Sequence, residues 1–123
     1  MGNEQRAVQI LVVEDDAGLR MVYRHVLTRM NIEVLEAETG DIALEMVEQC
    51  RPDIVFLDMH LPGADGLVIF KRIQELPHLQ ETRIVVVTAD KYVEEFAGVE
   101  DVTFLLKPVL PNQIRELVAE LLA

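Results

Sequence analysis

Four stretches of the sequence run from apolar residues into side chains that could hold a cation or an anion. Glu14, Asp15 and Asp16 close "QILVVEDD", and Asp58 closes "DIVFLD". Thr88, Ala89 and Asp90 close "RIVVVTAD", and Lys107 and Pro108 close "VTFLLKP". Carboxylates brought within a few ångströms repel, and one of them is pushed towards its neutral form. A divalent cation removes that conflict. Hard oxygen ligands with few protein contacts suit Mg²⁺, which keeps several waters and bridges carboxylate to phosphate. Lys107 would add a fixed positive charge, and Thr88 a hydroxyl able to donate to an anionic oxygen. Cation, ammonium and hydroxyl together describe phosphoryl transfer, where positioning and charge stabilisation supply most of the catalysis. An Asp carboxylate can be the nucleophile. Asp58 suits that role, because a buried strand would hold it rigidly while the loop with Pro62, Gly63 and Gly66 leaves it open to a donor.

Each group alone has a plainer reading. Asp16 could cap a helix, Thr88 could be an ordinary β-branched strand residue, and Lys107-Pro108 could be a salt-bridged loop. The joint placement at four strand ends favours the chemical reading.

These groups meet only if their strands are neighbours. The segment "AGLRMVYRHVLTRM" places Leu19, Val22, Tyr23, Val26, Leu27 and Met30 on one helix face. "EVLEAE" alternates as a strand, and "DIALEMVEQC" is helical, with Ala43, Met46, Val47 and Cys50 on its apolar face. "GLVIFKRIQEL" turns Ile69, Phe70 and Ile73 inward, and "LPNQIRELVAELLA" does the same with Ile114, Leu117, Val118, Leu121 and Leu122. The segment "KYVEEFAGVED" is interrupted by Gly98 and predicts a short or irregular helix. Strand and helix alternate five times, and the Val/Ile/Leu-rich strands suit burial on both faces. This is an α/β domain with a parallel sheet and helices on both faces. Ligands of such sheets bind at the carboxyl ends of the strands, where the strand order reverses.

The chain of 123 residues has the length of one domain. Its 22 acidic and 11 basic residues give a net charge of −11, which argues against direct nucleic-acid binding, since phosphate contacts need clustered Lys and Arg. No apolar run approaches a membrane span, and "MGNEQRAVQ" lacks the apolar middle of a secretory signal, so a cytoplasmic location without membrane insertion is expected. The lone Cys50 cannot form an internal disulfide. His25 and His78 read as surface residues. Neither a P-loop nor a dinucleotide motif occurs.

With "ILVVEDD", "DIVFLDMHLPGADG", "VVVTAD" and "LLKP", the sequence resembles the receiver domain of two-component response regulators over essentially its whole length. The resemblance implies a flavodoxin-like, doubly wound five-stranded parallel sheet of order 2-1-3-4-5. It implies a single receiver domain over 1–123, ordered from about residue 8, with no output domain in this chain. Asp58 would accept a phosphoryl group from a sensor histidine kinase or a phosphotransfer protein. Asp15 would bind Mg²⁺ directly and Glu14 through water, with Asp58 and the backbone carbonyl of His60 completing the protein ligands; Mn²⁺ could substitute. Lys107 would pair with the phosphoryl oxygens, and the Lys107–Pro108 peptide would be cis. Thr88 would move to the phosphoryl group, and Phe104 would swing inward with it. The 90–123 surface would carry a homodimer contact or a downstream effector. The His60 side chain would stand near the phosphoryl site or be simply exposed. The domain would be a signalling switch that catalyses only its own phosphorylation and dephosphorylation. The alternative is a receiver-fold docking module that works without phosphorylation.

Overall fold

In the computed structural model, residues 7–89 and 102–123 are described. The chain begins with β1 (Gln9–Val13), α1 (Ala17–Arg29), β2 (Glu33–Ala37) and α2 (Gly40–Gln49). It continues with β3 (Ile54–Asp58), α3 (Gly66–Glu75), a 3-10 turn (Pro77–Leu79) and β4 (Arg83–Thr88). It ends with β5 (Val102–Leu106) and α4 (Pro111–Leu122). The irregular helix expected in "KYVEEFAGVED" lies outside the described residues. The strands form one parallel sheet in the order β2-β1-β3-β4-β5, the flavodoxin-like order implied by the resemblance. Among the described residues no helix is long and apolar enough to cross a membrane.

Successive strand residues point to opposite faces, and here each face has its own core. Leu11, Val13, Val55, Leu57, Ile84 and Val86 pack with Ala43 and Val47 of α2 and with Ile69, Phe70 and Ile73 of α3. Ile10, Val12, Ile54, Phe56, Val85 and Val87 pack with Tyr23, Val26 and Leu27 of α1 and with Ile114 and Val118 of α4. That two-sided burial is why β1, β3 and β4 read as continuous apolar runs. The edge strand β2 is only partly covered and carries charged residues.

Helix starts are set by side chains. Asp16 Oδ1 accepts the Gly18 N–H, Thr39 Oγ1 that of Ile42, and Asp65 Oδ1 that of Leu67. At α4, Leu110 holds the cap position, Pro111 opens the helix, and Gln113 Oε1 accepts the Leu110 N–H at 2.8 Å. Three expectations are corrected. Cys50 does not lie on the apolar face of α2 but ends the helix: its backbone is extended and its N–H donates to Met46 O. Pro52 disfavours helical backbone at Arg51, so α2 has no room to continue. Leu122, in the last turn of α4, is 41% exposed rather than inward. His78 is half-buried, with Nε2 hydrogen-bonded to Val47 O at 2.9 Å, rather than a free surface residue.

Two glycines allow the chain after β3 to pass close to its neighbours. A Cβ on Gly40 would lie 1.8 Å from Ala64 O, where the loop after β3 crosses the start of α2. The Gly40 N–H donates to Pro62 O across the same contact. A Cβ on Gly66 would come within 2.9 Å of Asp58 O and of Met59 Cα. At Gly40 the obstructing atoms are all backbone, so they cannot yield by a rotamer change. Gly40→Ala is expected to lower stability by about 3 kcal/mol, the upper range of overpacking costs. A urea denaturation midpoint equal to that of the native sequence would refute this close approach.

Candidate functional site

The strand order places the carboxyl ends of β1, β3, β4 and β5 side by side. Val13 is in register with Leu57, Asp58 with Val87, and Thr88 with Leu106. The residue after β1 is Glu14, and the residue after β5 is Lys107. The four candidate groups therefore share one rim.

Glu14, Asp58 and Thr88 are each 1% exposed and are the buried polar residues of the described core. Asp15 is exposed. Carboxylate oxygens of Glu14, Asp15 and Asp58 all lie within 4.8 Å of one another. Lys107 Nζ lies 3.1 Å from Asp58 Oδ2 and 3.6 Å from Glu14 Oε1, so one ammonium serves two buried carboxylates. Asp58 Oδ1 accepts the His60 N–H at 3.0 Å, and Glu14 Oε2 accepts the Asp16 N–H at 3.1 Å. The His60 side chain is exposed. Thr88 O accepts the Lys107 N–H at 2.9 Å, which ties the end of β4 to the start of the next loop. The Lys107–Pro108 peptide is cis. Phe104, half-buried and in register with Val86, packs against the α2/α3 core.

Charge is crowded here. Burial, and next the Asp58 carboxylate, push the Glu14 carboxyl up to about 7, against the opposing pull of the Asp16 N–H and Lys107. Burial alone would lower the Lys107 ammonium, but its hydrogen bond to Asp58 and the charges of Asp58 and Glu14 outweigh that and raise it. Three carboxylates and one ammonium leave an excess of negative charge in a pocket of hard oxygen donors. That donor set fits a divalent cation of the Mg²⁺ type. Asp15, at the exposed edge, leaves room for the ion to keep water.

Asp16 lies outside the trio and caps α1. Asp90 lies outside the described residues. Two residues around the site were not singled out from sequence. Arg20 Nη1 donates to Glu14 O and Asp15 O at 2.9 and 3.1 Å. A basic residue about one turn into a helix that follows an acidic turn is the signal that could have found it, since helical side chains lean towards the N-terminus. Tyr23 was read only as core. Its ring lies 5.0 Å from that of Phe56, centroid to centroid, and its phenol is raised well above the ordinary range by burial and then by Glu14 and Asp58.

The response regulator receiver domain family matches residues 10–119. Sporulation initiation phosphotransferase F of Bacillus subtilis is 32% identical over 117 residues, which cover 93% of each chain. Transcriptional regulatory protein ResD of the same organism is 33% identical over 117 residues, covering 91% of this chain and 47% of ResD. The receiver domain of a sensor histidine kinase from Pseudomonas aeruginosa, solved with a magnesium ion coordinated in its active-site cleft, superposes with a TM-score of 0.81 at 23% identity, over 94% of this chain and 97% of that one. The chain thus matches nearly all of one relative and about half of another. Strand order, rim chemistry and these likenesses agree: the chain belongs to the response regulator receiver domain family, the signalling switches of two-component systems.

Proposed function

We propose that this receiver domain takes a phosphoryl group onto Asp58 from a histidine kinase or a phosphotransfer protein, in a Mg²⁺-dependent reaction, and that this switches its signalling surface. The observation that carries the reading is the rim itself. A buried Asp58 hydrogen-bonds to Lys107 at 3.1 Å and shares a 4.8 Å cluster with Glu14 and Asp15.

Glu14, Asp15 and Asp58 would hold the ion, with the carbonyl of His60 as the remaining protein ligand. The His60 N–H already donates to Asp58 Oδ1, so the loop backbone is turned to the pocket. The magnesium coordinated in the cleft of the Pseudomonas receiver domain supports this assignment. When bound, the ion supplies positive charge to phosphoryl oxygens. Asp58 is the nucleophile. An O–P bond forms at its carboxylate as the donor's N–P bond breaks, and the imidazole leaves with the electron pair. Lys107, freed from its ion pair with Asp58, follows the charge to the phosphoryl oxygens. Thr88 donates its hydroxyl to the same group. Water later reverses the modification, which makes the domain catalytic only towards itself.

The phosphoryl group adds about −1.5 to −2 charge at the rim. Thr88 and Lys107 rearrange around it, and Phe104 follows from its half-buried position on β5. The 90–123 surface, part of it outside the described residues, then favours a second state that a second copy or an effector reads. A cytoplasmic location fits this reading.

Incubation with acetyl phosphate tests it. With Mg²⁺, intact-mass measurement should find one added phosphoryl group, and with EDTA none. A folded protein that gains no mass under either condition would refute the phosphoryl-acceptor reading and favour a docking module.

A further inference from the structure

Burial in the strand ends and contacts around them hold Glu14 and Asp58, each 1% exposed. Asp15, the third carboxylate, is exposed and takes no such support from the core. Its backbone is held instead by Arg20. Nη1 of that residue donates to Glu14 O at 2.9 Å and to Asp15 O at 3.1 Å. These carbonyls belong to the peptide groups on either side of Asp15. Pinning both restrains the two backbone dihedrals of Asp15, and hence the direction of its Cα–Cβ bond.

The guanidinium is itself braced. Its Nε lies 3.4 Å from Glu36 Oε1 on β2 and its Nη2 lies 3.3 Å from Glu38 Oε2, with the side chain 14% exposed. The two carboxylates offset the Arg20 charge. A cation this close to a site for another cation is then tolerated, and the planar fork acts by geometry rather than by attraction.

We propose that Arg20 is a positioning residue of the acidic pocket, holding the β1–α1 turn so that Asp15 presents its carboxylate beside Glu14 and Asp58 to Mg²⁺. The proposal rests on the reading of the pocket as a Mg²⁺-dependent phosphoryl acceptor. Its effect is specific: loss of Arg20 should weaken the ion's binding while leaving Asp58 and Lys107 able to react.

The test is calorimetric titration with Mg²⁺, joined to phosphorylation by acetyl phosphate across a Mg²⁺ series. Arg20→Ala should weaken Mg²⁺ binding about tenfold or more, as loss of an outer-shell partner does. Its half-saturating Mg²⁺ concentration for phosphorylation should rise by the same factor, and its maximal rate at saturating Mg²⁺ should stay near that of the native sequence. Arg24→Ala is the control. It removes the shorter pair to Glu36, at 2.6 and 2.8 Å, without touching either carbonyl, and should leave the affinity unchanged. Arg20→Lys keeps the charge without the fork and should be intermediate in affinity, which preserves the test if Arg20→Ala does not fold.

Unchanged Mg²⁺ affinity in Arg20→Ala and Arg20→Lys would overturn the proposal. So would equal weakening in Arg20→Ala and Arg24→Ala, which would assign the effect to the ion-pair network. A maximal rate that falls as far as the affinity would overturn it too. If the native sequence itself binds no Mg²⁺, the reading of the pocket fails, a result distinct from failure of the Arg20 assignment alone.

Discussion

Asp58→Asn is expected to abolish phosphoryl uptake and to leave the fold standing. Uptake fails because an amide is not a nucleophile towards phosphorus, whereas the carboxylate is. The fold survives because the pocket's local hydrogen bond survives. An Asn amide oxygen can accept the His60 N–H that Asp58 Oδ1 accepts at 3.0 Å. The other side of the group changes more. Lys107 Nζ now donates to Asp58 Oδ2 at 3.1 Å, and an amide N–H₂ there would face it as a second donor. Lys107 is expected to shift towards Glu14, 3.6 Å away. Intact mass after incubation with acetyl phosphate and Mg²⁺ reads the outcome, with circular dichroism as the check on folding. Stoichiometric labelling of a folded Asp58→Asn protein would show that another residue is the acceptor.

The sequence made the sheet legible because its strands are covered twice. Ile10 and Val12 serve one core and Leu11 and Val13 the other, so all four consecutive positions have to be apolar. The polar group that breaks such a run marks the strand's carboxyl end. Glu14, Asp58 and Thr88 end such runs, Lys107 follows the partly buried β5, and their joint placement at four strand ends is what the parallel sheet brings to one rim. Contacts set by long side chains were not legible. Arg20 looks like any polar residue on a helix with an apolar face, and its role depends on where Glu36 and Glu38 lie in three dimensions. The ends of α2 and α4 were misread for a related reason. Apolar spacing in Cys50 and Leu122 continues past the point where the backbone or the core still supports it. Asp16 takes its plainer reading as a helix cap, because the turn that exposes the acids also starts α1.

The crowding of carboxylates at the rim should destabilise the metal-free protein at neutral pH. Glu14 is raised from 4.5 to about 7, by burial first and by Asp58 next. Between those values the folded state holds a proton that the unfolded chain has released. The folded state thus binds more protons, and stability must fall as pH rises through this window. Below about 4.5 the group contributes no penalty; above about 7 the full cost is present, on the order of 3 kcal/mol. Glu14→Gln carries no such charge. In EDTA it should be more stable than the native sequence by about that amount at pH 8 and about equal to it at pH 4.5. Mg²⁺ should narrow the gap at pH 8, because it binds the folded cluster and not the dispersed acids of the unfolded chain. At 100 times its dissociation constant it would add about 2.7 kcal/mol to the native protein. It should add less at pH 5, where a proton on Glu14 competes with the ion. Urea denaturation of both proteins at pH 4.5, 5 and 8, with EDTA and with Mg²⁺, measures each term. A Glu14→Gln protein less stable than the native one in EDTA at pH 8 would mean that Lys107, 3.6 Å from Glu14, more than offsets the cost of burying that charge. The rim would then already be balanced without the ion, and the electrostatic case for a cation there would be lost.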